Sequence, residues 1–115
     1  MFLVLTAAAI IDLAGLPDRV AGAYIGYEMC VSVTAQRLAK SNDTTEKLFE
    51  VAKLACGQDG AHFEAVFDNE FVESHLNVSG PAYDQAFNEH QKQLDALNSR
   101  LEQIFAAHLR NARSK

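Results

Sequence analysis

The chain predicts an all-α fold, and three observations carry that reading. Apolar residues recur at alternating steps of three and four along three stretches, the period of one helix face. Two polar breaks separate those stretches, and no alternation of apolar and polar residues is long enough to read as a strand. The expected arrangement is a helical hairpin, residues 17–40 and 45–76 with a kink near Gly57 and Gly60. A long C-terminal helix over residues 81–112 covers it, making a bundle of three helices. A length of 115 residues is one domain's worth of chain.

In the first stretch Val20, Tyr24, Tyr27, Val31, Thr34 and Leu38 share one face. Pro17 followed by Asp18 suits a helix start, because proline fits the first helical position and a carboxylate favours the positive end of the helix dipole. Gly22 and Gly26 sit inside this helix in a small-xxx-small pattern, read here as a close backbone contact or a frayed start. Residues 41–45 (SNDTT) then break the pattern with side chains that bond their own backbone, and Thr44 or Thr45 can cap the next helix.

The second stretch carries Leu48, Ala52, Ala55, Cys56, Phe63, Val66, Phe67 and Phe71 on one face. Gly57 and Gly60 weaken it, yet the apolar face resumes in phase after them, which predicts one kinked helix or two helices in line. Phe63, Phe67 and Phe71, at i, i+4 and i+8, read either as core or as the wall of an apolar groove. After the loop at residues 77–81 (NVSGP), the third stretch shows a heptad-like stripe. Phe87, Leu94, Leu101 and His108 alternate with His90, Leu97, Ile104 and Asn111. This helix either packs across the hairpin or pairs with a second copy through Phe87, Leu94, Leu97, Leu101 and Ile104, a seam weakened by His90 and His108. Arg110, Arg113 and Lys115 match the negative end of its dipole.

Residues 2–11 (FLVLTAAAII) form an apolar run too short to span a bilayer, which needs about 20 such residues. The run has the length of a signal-peptide core, and Ala21-Gly22-Ala23 offers a cleavage pattern before Tyr24. Against this stand the lack of a basic residue ahead of the run and the position of Asp12 directly after it. Residues 1–23 are therefore read as a signal peptide or a short apolar helix, followed by a single helical domain over residues 24–115. Cys30 and Cys56 lie equally far along the chain from Asp43, at the centre of the turn. In an antiparallel hairpin they stand at the same height, so a disulfide can join them, and a periplasmic or secreted location follows. Two reduced core thiols in a cytoplasmic protein are the alternative.

The charge balance, ten Lys plus Arg against fifteen Asp plus Glu for a net charge of -5, disfavours nucleic-acid binding, which needs basic residues to neutralise phosphates. No lysine or arginine falls between Lys53 and Lys92, so Asp59, Glu64, Asp68, Glu70 and Glu73 read as a solvated acidic face or a docking surface for a basic partner, with Glu64, Asp68, Glu70 and Glu73 as its candidates. The four histidines form no HxxxH or HExxH pair, so no metal site is expected. No phosphate loop, serine elbow or CxxC motif occurs, so neither a cofactor nor a catalytic residue is assigned. The expectation is a small exported, non-enzymatic helical protein that binds another protein, of inhibitor, immunity or envelope-accessory kind. The alternative is a cytoplasmic adaptor that dimerises through its last helix.

Overall fold

The computed structural model describes residues 13–115, and every regular element among them is helical. The apolar run at residues 2–11, with the reading of it as signal or helix, lies outside the described residues. A short 3-10 turn at Leu13–Gly15 leads into α1, Asp18–Leu38, with Pro17 at its N-cap. In α2, Thr45–Ala55, the Thr44 hydroxyl accepts the Lys47 N–H at 3.3 Å, the capping bond that the polar break had suggested. The third helix, α3, spans Gly57–Ser74, and α4, Gly80–Arg113, opens with Pro81 in its first turn. Gly80 takes φ +65°, a left-handed conformation that favours glycine, and so turns the chain into α4.

The second arm of the hairpin is thus two helices in line. They meet at Cys56, just ahead of the expected kink, where φ is -102° and ψ 24°. Helical hydrogen bonds run through the joint. The Cys56 N–H donates to the Ala52 carbonyl and the Gly60 N–H to the Cys56 carbonyl, each at 2.9 Å. The joint therefore bends the rod without ending it. Gly60 has its own reason: a Cβ there would lie 3.0 Å from Tyr27 Cζ, so a side chain at this point would press on the buried Tyr27 ring where α3 meets α1.

The central element is α1, which meets α2, α3 and α4. Val20, Tyr24, Tyr27, Val31 and Ala35 of α1 pack with Leu48, Phe49 and Ala52 of α2, Phe63 and Phe67 of α3, and Leu97, Leu101, Phe105 and Leu109 of α4. Tyr24 sits edge-on to Phe63, centroids 5.4 Å apart, and its hydroxyl donates to the Leu97 carbonyl at 3.3 Å. Both ends of the bundle are tied by arginine. Arg113 donates to the carbonyls of Ala39, Ser41 and Asp43, closing the α1–α2 turn, and Arg19 pairs with Glu70 and Glu73 at the opposite end. Cys30 and Cys56 are joined in a disulfide with Cα atoms 5.9 Å apart, as their equal distance from the turn implied.

One expectation is corrected. The seam for self-pairing through Phe87, Leu94, Leu97, Leu101 and Ile104 is not one exposed surface. Leu97 and Leu101 are buried in the chain's own core, Ile104 is half-buried, and Phe87 is exposed. An α-helix turns every 3.6 residues, so a seven-residue stripe drifts off a straight contact line. The buried line shifts to Phe105 and Leu109. Around the Ala21-Gly22-Ala23 pattern α1 runs unbroken, with Leu16 and Val20 in the core and Arg19 on two carboxylates.

Reducing the disulfide should lower stability by about 3.5 kcal/mol, since a closed loop of 26-residue separation restricts the unfolded chain. Urea unfolding with and without reductant measures this, and an unchanged midpoint would contradict it. Burial, reinforced by nearby Glu28, pushes the Tyr24 hydroxyl well above the ordinary tyrosine value of 10.0. The unfolded chain then ionises this tyrosine first, so the contribution is complete below about pH 10 and is lost as the pH rises beyond it. Unfolding titrations between about pH 8 and pH 11 should show falling stability, less steep in Tyr24→Phe; equal slopes would remove Tyr24 as the cause.

Candidate functional site

An open cleft of about 590 Å³ lies where α1 begins, α3 ends and α4 begins. The phenylalanine spacing on α3 builds it. Phe63 is fully buried and Phe67 nearly so, and both belong to the main core. Phe71, two turns on from Phe63, passes beyond that core and stands in the cleft wall beside Phe67. The two readings of this stripe are therefore divided along its length: core at Phe63, groove at Phe71, with Phe67 serving both.

From α4, His90 closes the wall. Its ring stacks on Phe67, centroids 4.1 Å apart, and lies 4.4 Å from Phe71. Only 8% of the residue is exposed, and Nε2 meets the Asp68 carboxylate at 2.9 Å. That bond fixes the imidazole plane against the two phenylalanine rings. His75, at the end of α3, stacks on the Phe71 ring at 4.3 Å with Nδ1 2.7 Å from the Phe71 carbonyl oxygen. Tyr83 and Phe87 add their rings edge-on to Phe71 at 5.7 and 6.0 Å. The result is a continuous cluster of aromatic and imidazole rings joining α3 to α4, with one side open to the cleft.

The acidic residues do not form one patch. Asp68 turns toward α4 and His90, whereas Glu70 and Glu73 turn toward α1 and Arg19, at 2.5 and 3.1 Å. Those two carboxylates hold the Arg19 guanidinium above its usual range. Glu64 is one turn back and lines a separate groove with Tyr27 and Lys53. Glu64, Asp68, Glu70 and Glu73 are thus not brought together: of the four only Glu70 lines the cleft, where Glu89 from α4 joins it. Arg19 supplies the base that the sequence between Lys53 and Lys92 lacks, because α1 folds back beside α3.

His90 is the site residue that sequence reasoning missed. Its place on the apolar stripe of α4 marked it as inward-facing, but its partner lies on another helix at no regular spacing. Among the described residues no group of three or more His, Cys, Asp or Glu side chains is placed to hold a metal ion. No helix among them is long and apolar enough to cross a membrane. Comparison with protein families, curated proteins and solved structures gives no match.

The two members of the Asp68–His90 pair should differ sharply on substitution. The Asp68 side chain is 62% exposed, so the pair is largely screened and Asp68→Asn should cost under about 1 kcal/mol. His90→Ala removes a ring packed on two phenylalanines and should cost about 2–3 kcal/mol. Urea unfolding of the two variants decides, and equal losses would mean that the ion pair, not the stacking, holds the cluster.

Proposed function

We propose that the chain is an exported, non-enzymatic binding protein that holds an aromatic or apolar anchor of a basic protein segment in the cleft at Phe67, Phe71 and His90. The observation that carries this reading is the open cleft with a wall of stacked rings. Its volume, about 590 Å³, falls within the range of ligand pockets, and rigid ring faces favour a flat apolar guest. The cleft is lined by Glu70 and Glu89 against Lys92, and the whole chain carries -5, which favours a partner with positive flanks.

The polar groups beside the cleft bond within the protein, which holds its walls in place. Ser74 Oγ donates to the Glu70 carbonyl at 2.8 Å, and the His75 and His90 nitrogens meet the Phe71 carbonyl and Asp68. The disulfide fits an oxidising compartment such as a periplasm or the cell exterior, where such bonds persist.

The chain contains no tryptophan, so the emission of a tryptophan peptide reports its binding without background. A blocked peptide with tryptophan between lysines should shift to the blue and saturate at about 0.1–1 mM, weakening as salt rises. A control peptide with tryptophan between glutamates should bind more weakly, and Phe71→Ala should reduce affinity for the lysine peptide by about tenfold. A flat response to about 5 mM, or the same binding curve from Phe71→Ala, would overturn the proposal.

A further inference from the structure

The outward face of α1 has no cover in the described structure. Ile25, Met29 and Val33 stand 45%, 63% and 48% exposed along it, with Gly22 and Gly26 exposed on the same side. The opposite face of the same helix is the core of the bundle, so α1 carries a second apolar stripe on its outward side, flanked by Asp18, Gln36 and Arg37. The two glycines have no internal explanation: a Cβ built on either meets nothing within 4 Å, unlike Gly60 against Tyr27. Each costs helix stability relative to alanine without relieving any contact inside the chain.

We infer that this face pairs with the same face of a second copy in an antiparallel, two-fold dimer. The face is complementary to itself in one register. Setting Gly26 opposite Met29 of the second copy also sets Gly22 opposite Val33, so each large side chain meets a glycine and the backbones can approach closely. The same register places Asp18 opposite Arg37, once at each end of the contact. Both residues are exposed and neither forms an ion pair within the described residues. A parallel pairing would set Asp18 beside Asp18 and Arg37 beside Arg37, so charge selects the antiparallel form. The contact involves one helix from each copy and sits at the low end of interface sizes, which implies a reversible dimer with a dissociation constant on the order of 100 μM. It uses a surface separate from the cleft and stands independently of the cleft's role.

Sedimentation equilibrium of the full chain up to about 1 mM tests this, with the expected limiting mass twice 12.6 kDa. Met29→Glu should weaken association by about 30-fold or more while leaving the helical circular dichroism unchanged. Gly26→Leu should raise the thermal midpoint of the dilute monomer, since the new side chain meets open space and removes a helix glycine, and yet weaken the dimer. Asp18→Arg and Arg37→Asp should each weaken association by about 3-fold, and the double exchange should recover it. A monomer throughout the concentration range overturns the inference, as does a dimer indifferent to Met29→Glu and Gly26→Leu. A monomer that co-sediments with phospholipid vesicles through Met29 would assign the face to a lipid surface and overturn it equally.

Discussion

Everything in this bundle is organised by the burial of one face of α1. Val20, Tyr24, Tyr27 and Val31 supply the surface on which three other helices converge, and each of those helices would otherwise expose its own apolar stripe. Apolar burial has no direction of its own, so it does not by itself decide how the surrounding helices are arranged. That is decided by a few specific contacts: the disulfide at Cys30 and Cys56, the absence of a side chain at Gly60 and the Tyr24 hydroxyl on the Leu97 carbonyl. Together they set the height, approach and rotation of α2, α3 and α4 about the central helix.

The cleft follows from the geometry of α4. A helix of 34 residues is longer than the partners it covers, so its two halves do different work. The C-terminal half completes the core through Leu97, Leu101, Phe105 and Leu109. The N-terminal half reaches α3 only through large rings, His90 against Phe67 and Phe71, with Tyr83 and Phe87 behind. Rings bridge such a gap without filling it, and the remaining space is the cleft. The Arg19 pairs with Glu70 and Glu73 hold the start of α1 at its edge, which keeps the opening defined.

The fate of the acidic residues shows how far a linear charge pattern can mislead. Between Lys53 and Lys92 the chain contains no lysine or arginine, and the carboxylates of α3 read as one uncompensated surface. A helix distributes neighbouring residues around its axis, so Asp68 and Glu70 point to different helices and acquire different partners. The heptad stripe of α4 fails for a related reason. A seven-residue repeat is a contact line only when helices supercoil, and against a compact hairpin the line follows the 3.6-residue turn to Phe105 and Leu109.

What the sequence by itself determined was everything that depends on local order. The helix period, the capping threonine, the proline start of α4 and the equal distance of Cys30 and Cys56 from the turn are each a relation between residues close in sequence or symmetric about a bend, and they are legible without coordinates. What only the tertiary structure decided is which helix each residue meets: Asp68 with His90, Arg19 with Glu70 and Glu73, and Phe71 with the opening beyond the core. Those pairings join positions far apart at no regular interval, so no pattern along the chain encodes them. They arise from the angle and rotation at which packed helices meet.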